Sequence, residues 1–241
     1  MTTTPGLDIS VWQDENSTPQ MFDPAKASAA GAAFVFIKAS EAVYLDPDFV
    51  RNWAQCRGKL YRSAYHYFRW QFSPIDQARF FAGVLAKDPG ELPPVIDFES
   101  RSGVPDRVSA VSRLEQFVSE FERITGRQLM IYTGPSYWKE YGSTAAHWAA
   151  RPLWVANYGV TVPSVPAPWA TWTFWQYTDK GPGLAFGAES LNIDMNWYQG
   201  SLAQMRTRFN LGANDQPPVV VETQLDRIER GMDELLRRGQ V

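Results

Sequence analysis

At 241 residues, 44% hydrophobic and 20% charged, the chain is long enough for one large domain with a well-buried core. A net charge of −3 excludes the basic surplus of a nucleic-acid binder, and no apolar run reaches the roughly 20 residues that cross a bilayer. One cysteine, Cys56, and two histidines, His66 and His147, exclude intramolecular disulfides and most zinc sites, so neither a metal nor a cofactor is expected.

The N-terminus, Met1-Thr2-Thr3-Thr4-Pro5, lacks the basic and then apolar pattern of a secretory leader, which points to release by another route if the substrate lies outside the cytoplasm. Residues 6–10 read as a first strand. Residues 23–30 read as a helix, with Asp23 as cap and Pro24 in the first turn. A second strand at 34–38 precedes a helix at 48–57 that puts Phe49, Trp53 and Cys56 on one face, which makes Cys56 a core residue. A strand at 63–67 leads to a helix at 74–87, capped by Ser73. The strand at 94–99 precedes a long helix at 106–125, with Val111, Leu114, Phe117, Val118 and Phe121 at helical spacing and Gly126 as its stop. Further strands follow at 129–133, 153–158, 172–177 and 192–196. Between the last of them the chain is Pro-rich (160–169) and Gly-rich (181–187), so long helices are excluded there.

Eight strands alternating with helices predict an α/β fold: a modified, flattened β/α barrel, TIM-like, with a parallel sheet and reduced helices in its second half. A short helix at 201–209 closes this unit, so the barrel spans 1–209. A Gly/Asn/Pro linker covers 210–220. The last segment, 221–241, carries Val221, Leu225, Ile228, Met232 and Leu235 at alternating spacings of four and three, a narrow heptad seam. Such a helix either packs on the barrel or associates with a second copy of the chain.

Barrel enzymes place their chemistry at the C-terminal strand ends. Those ends carry Asp8, Lys38, Tyr65, Asp97, Glu99, Tyr132, Tyr158, Gln176 and Asp194. In Pro94-Val95-Ile96-Asp97-Phe98-Glu99-Ser100, strand alternation aims Asp97 and Glu99 to one side. Two carboxylates so placed repel each other, and one holds its proton to a raised pH. Glycosidic cleavage needs this combination. Ten Trp, ten Tyr and fourteen Phe supply a core and flat faces on which sugar rings can stack. Lys38 fits either a salt bridge or a place in the cleft. His66, between Tyr65 and Tyr67, should face into packing, and His147 should lie on the surface.

The runs Gly6-Leu7-Asp8-Ile9-Ser10-Val11-Trp12-Gln13, Ala64-Tyr65-His66-Tyr67-Phe68, Val95-Ile96-Asp97-Phe98-Glu99, Leu153-Trp154-Val155-Ala156-Asn157-Tyr158, Trp175-Gln176-Tyr177 and Ile193-Asp194-Met195-Asn196 together resemble glycoside hydrolase family 25. These are lysozymes that cleave peptidoglycan as N-acetylmuramidases, and the resemblance covers residues 5–205. It implies a helix-poor second half of the barrel, Glu99 as general acid/base, Asp97 as its partner, and Asp8 and Asp194 as further acids of the cleft. It makes Tyr65, Tyr132, Trp154, Tyr158 and Gln176 the candidate substrate-binding residues and bacterial peptidoglycan the partner. It also suggests a phage endolysin, released from the host cytoplasm to the wall, or a virion-associated lysin.

The expected outcome is net retention. Asp97 acts either as a covalent nucleophile or as a helper to attack by the substrate's own acetamide. A non-catalytic glycan-binding protein on the same fold is the alternative, and four retained acids argue against it. A chitinase-like barrel is disfavoured because Val95 stands two residues before Asp97, where the D-x-D-x-E form has an acid.

Overall fold

The computed structural model of the chain describes residues 2–13 and 22–212. The helix expected over 221–241, and the linker beyond residue 212, lie outside the described residues.

One sheet closes on itself. Strands β1 (Thr3–Ile9), β2 (Phe34–Glu41), β4 (Tyr61–Tyr67), β5 (Val95–Asp97), β6 (Met130–Thr133), β7 (Leu153–Ala156), β8 (Phe174–Pro182) and β9 (Asn192–Gln199) form an eight-stranded barrel, in which β1 pairs with both β2 and β9. A ninth strand, β3 (Tyr44–Leu45), folds back on the end of β2 as a hairpin. From β1 through β8 the barrel strands are parallel, as the alternation with helices predicts. β9 departs from the all-parallel expectation: it runs antiparallel to β8 and to β1. The physical reason is the short connection over 183–191, which holds only a 3-10 turn. A parallel return needs a crossover of a dozen residues or more.

The helices stand where their caps place them. α1 (Pro24–Ala29), α3 (Pro74–Leu85) and α4 (Arg107–Thr125) begin at Asp23, Ser73 and Asp106, whose side chains accept from first-turn backbone N–H groups. Gly126 ends α4 in the left-handed conformation (φ 67°), where a side chain would be strained. α2 (Phe49–Cys56) buries Phe49, Trp53 and Cys56, and burial pushes the Cys56 thiol up to about 12, which leaves it unreactive. After β6 the helical layer thins to the short α5 (Pro135–Tyr141) and 3-10 turns, and α6 (Leu202–Phe209) closes the barrel with a Ser201/Gln204 capping box. No helix among the described residues is long and apolar enough to cross a membrane.

Two apolar cores follow from strand alternation. The barrel interior is filled by Phe34, Phe36, Tyr61, Val95, Met130, Trp154, Phe174 and Tyr198. Phe36 stacks on Trp154 with 3.9 Å between ring centroids, and Phe34 and Phe36 meet Phe174 edge-on. Gly6 in β1 is required by this filling, because a Cβ there would lie 2.4 Å from the Phe34 ring. The other core, between barrel and helices, contains Ile37, Ile96, Phe98, Phe81, Phe117 and Phe121.

His66 lies in this outer layer, fully buried, stacked on Phe117. Its Nε2 meets Gln77 Oε1 and its Nδ1 meets Ser40 Oγ. The Gln77 amide nitrogen donates to Arg69 O, which leaves Oε1 as acceptor and makes His66 Nε2 the donor. Burial lowers its pKa to about 4, which keeps the ring neutral near pH 7.

A histidine with a lowered folded pKa gives stability that is present above about pH 6.5 and lost as pH falls toward 4. Urea melts of wild type and His66→Gln at pH 7.5 and 4.5 should show the wild-type advantage shrinking by about 2–3 kcal/mol at the lower pH. An advantage independent of pH would mean that His66 titrates normally.

Candidate active site

At one end of the barrel the inward-facing residues change from aromatic to polar. The step is one of parity: Gly6 gives way to Asp8, Val95 to Asp97, Phe174 to Gln176, and Tyr198 in antiparallel β9 leads back to Asn196 and Asp194. Asp194 lies at the start of its strand, so the rule of C-terminal strand ends does not place it. It reaches the mouth because β9 runs the other way, which sets Asp194 opposite Asp8 in the ladder.

β5 ends at Asp97, two residues short of the expected strand, and Glu99 lies in the following segment. The course stays extended there. Phe98 N donates to Tyr132 O at 3.0 Å, and the Thr133 hydroxyl donates to Phe98 O at 2.9 Å. Ile96 and Phe98 pack into the outer core, which leaves Asp97 and Glu99 on the side of the mouth.

The acids differ in their hydrogen bonding. Asp8 Oδ2 accepts from Gln176 Nε2 at 2.8 Å and from Asn196 Nδ2 at 2.7 Å. Gln176 Oε1 in turn accepts the hydroxyls of Tyr132 (2.8 Å) and Tyr158 (2.7 Å). Asn196 Oδ1 accepts the Trp154 indole N–H at 2.7 Å. Asp97, by contrast, keeps a buried Oδ1 with no hydrogen-bond partner among the described residues.

Burial is the largest influence on every one of these acids and raises all four. Asp8 is pushed well above the usual carboxylate range by burial and by the charge of Asp194, against the pull of its two amide donors. Asp194 is pushed up to about 6. Asp97 is also pushed well above the usual carboxylate range, by burial and by Glu99, while Lys38 opposes the shift. Glu99 is raised by burial and by Asp194, while the neighbouring Tyr132 hydroxyl opposes the shift. Burial and the neighbouring carboxylates also raise Tyr65, Tyr132 and Tyr158, which keeps them neutral. Fixed neutral donors beside acids of raised pKa suit proton transfer to a leaving oxygen.

All nine predicted site residues lie in or directly beneath this mouth. Tyr158 is well exposed at the rim. Trp154 lies below it, 2% exposed, as part of the aromatic floor, with only its N–H linked to the polar layer. Lys38 joins a salt bridge to Glu41 at 2.6 Å and lies close enough to influence Asp97. Asn196 was not selected from sequence. Its signal is its place two residues after Asp194, on the same face of the strand.

Known proteins share the family and the fold. The family model described as glycosyl hydrolases family 25 matches residues 7–184. The chain is 33% identical to lysozyme M1 of Streptomyces globisporus, over 85% of this chain and 71% of that protein. It is 30% identical to the N,O-diacetylmuramidase of a Chalaropsis species, over 85% of this chain and 98% of the relative. Among solved structures, the bacterial lysozyme from Streptomyces coelicolor superposes with a TM-score of 0.73 at 29% identity, covering 87% of this chain and 98% of that one.

The two amide donors on Asp8 are the part of this site most open to direct measurement. Asn196→Leu removes one of them, and the Asp8 carboxyl should then titrate about one to two pH units higher, the size of one hydrogen bond to a charged group. Carbon-13 NMR titration of the aspartate carboxyls reads this directly, and an unmoved Asp8 resonance would contradict the arrangement.

Proposed function

The chain belongs to the family 25 glycosyl hydrolases, and from that premise we propose how the acids at its barrel mouth divide the work. The protein is a peptidoglycan hydrolase, a lysozyme of the N-acetylmuramidase type. The bond it cleaves is the β-1,4 link between N-acetylmuramic acid and N-acetylglucosamine.

The observation that carries the division of roles is the unpartnered, buried Oδ1 of Asp97. A buried acceptor without a donor is costly, and a ligand N–H relieves that cost. The 2-acetamido N–H of the sugar in the cleavage position is such a donor. In the free pair the Asp97 carboxyl is raised further than that of Glu99; the incoming N–H, with Lys38 on the same side, favours the Asp97 anion and shifts the proton to Glu99 as the sugar binds.

Glu99 then protonates the glycosidic oxygen as the bond to the anomeric carbon breaks. The acetamide carbonyl oxygen, aligned through its N–H on Asp97, attacks that carbon from the opposite face and forms a cyclic oxazolinium ion. The Glu99 carboxylate next takes a proton from water, which opens the ring with net retention. Asp194, beside the amide-held Asp8, contributes negative potential that supports the developing positive charge. Tyr65, Tyr132, Tyr158 and Gln176 hold the sugar and the acids in register, and Trp154 holds the floor beneath them. Action at the bacterial wall as a phage lysin, released from the host or carried on the virion, completes the proposal.

Glu99→Gln should lower turnover of purified peptidoglycan by about 10²- to 10⁴-fold while leaving binding intact. Digests by the wild type should carry muramic acid at the new reducing ends; glucosamine ends would overturn the assignment. The alkaline limb of the rate profile should lie above the usual glutamate range, because burial raises the Glu99 carboxyl. A covalent glycosyl adduct on Asp97 would replace the acetamide step by direct nucleophilic attack.

A further inference from the structure

Beside the catalytic acids, over the β2–β3 hairpin, lies a recess of about 640 Å³, of whose lining the cleavage mechanism uses Lys38 alone. Its walls include Trp12, Tyr44 and Phe72; Trp12 is 78% and Tyr44 64% exposed. Tyr44 and Phe72 meet edge-on at 6.0 Å. Two cations line it, Lys38 and Arg69.

Both cations stand over the ring of Tyr67, Lys38 at 5.3 Å and Arg69 at 4.8 Å from its centroid. Tyr67 is the ladder partner of Asp97, and Lys38 of the lining lies close enough to influence Asp97, so this wall of the recess neighbours the acid. The acids of the lining are already engaged. Glu41 binds Lys38 and also the Nε and Nη2 of Arg69. Asp46 accepts the backbone N–H groups of Val11 and Asp48. The Nη1 group of Arg69 has no acceptor among the described residues, and it faces no other acid of the lining that lacks a partner.

The substrate gives this arrangement its meaning. The sugar backbone is uncharged and does not call for cations. The muramic acid residue carries a lactyl group at O3, which bears a peptide stem with free carboxylates. Four carboxyl groups at the mouth repel such a stem if it crosses the centre of the site. A cationic pair to one side gives it a path. The exposed rings offer apolar area to the aliphatic part of the stem at little entropic cost.

We propose that this recess binds the acidic peptide stem of the muramic acid residue in the cleavage position, with Arg69 pairing with a stem carboxylate and Lys38 supporting it. The inference rests on the muramidase reading above and extends it from the sugar chain to the peptide. Arg69 touches the substrate away from the reacting atoms, so its contribution is to affinity.

The experiment uses uncross-linked glycan strands that carry stem peptides and are stripped of wall teichoic acid, so that the stem is the anion present. The same strands with stem carboxylates amidated through carbodiimide form the second substrate. For the wild type, KM should be lower on the acidic strands. Arg69→Gln should raise KM on the acidic strands by about tenfold, with kcat unchanged. Turnover of the amidated strands should match the wild type, which also shows that the variant is folded. Equal wild-type KM on both substrates would overturn the proposal. So would an Arg69→Gln defect of the same size on both. A wild type that cleaves neither substrate refutes the muramidase reading, and this inference falls with it.

Discussion

The interior of a small barrel has to be filled, and here it is filled with rings. Phe34, Phe36, Trp154 and Phe174 pack ring against ring in the space below the mouth. The polar layer rests on that floor. Burial is consequently the largest influence on Asp8, Asp97, Glu99 and Asp194 alike, ahead of any charge–charge contact. The same aromatic packing that holds the sheet closed thus prepares the acids for work near neutral pH. Stability and catalysis meet in one set of side chains.

On that floor the acids are made unequal by their donors. Asp8 has two amides and is fixed through them to Tyr132, Tyr158 and Trp154. Its position is determined before any ligand arrives, as suits a fixed anchor for the polar layer. Asp97 has a bare oxygen and a nearby lysine, the features of a group that waits for a partner. Glu99 is the most open of the pair and touches a neutral tyrosine, which lets it gain and lose a proton at the surface of the cleft. Charge alone would not separate these roles, because the four groups are chemically similar. Their neighbours separate them.

Much of this was legible in the sequence, and the reason is parity. Residues two apart on a strand share a face, so Asp97, Tyr132 and Gln176 could be assigned inward from the apolar residues that precede them. Parity also carried information that motif reading passed over. Asn196 shares the face of Asp194, and Trp154 is two residues before Ala156 on a strand whose inner face is packed; the first belongs to the polar layer and the second to the floor. The reversed strand was not legible, because strands read at 172–177 and 192–196 leave room for a crossover, and only the extension of β8 to Pro182 shortens the connection. What sequence does not carry is the pairing of side chains across strands. That the Gln176 amide joins Asp8 to two tyrosines depends on the closure of β1 onto β9, a contact between residues at opposite ends of the chain.

The acids and His66 act on stability in opposite directions, and the two effects fall in the same range of pH. A carboxyl raised on folding binds more protons in the native state, so its contribution grows as pH falls below the folded value, about 6 for Asp194. His66, lowered to about 4, binds fewer protons in the native state, so its contribution shrinks over the same interval. One group lies at the mouth and the other outside the barrel wall, behind β4, with no hydrogen bond between them. Their opposition flattens the dependence of stability on pH between about 4 and 6 without either site being tuned to the other. A cluster of buried acids would by itself make the fold less stable as pH rises toward neutrality; a buried neutral histidine offsets part of that slope. His66 therefore reduces, from outside the site, part of the pH dependence that the perturbed acids impose on the fold.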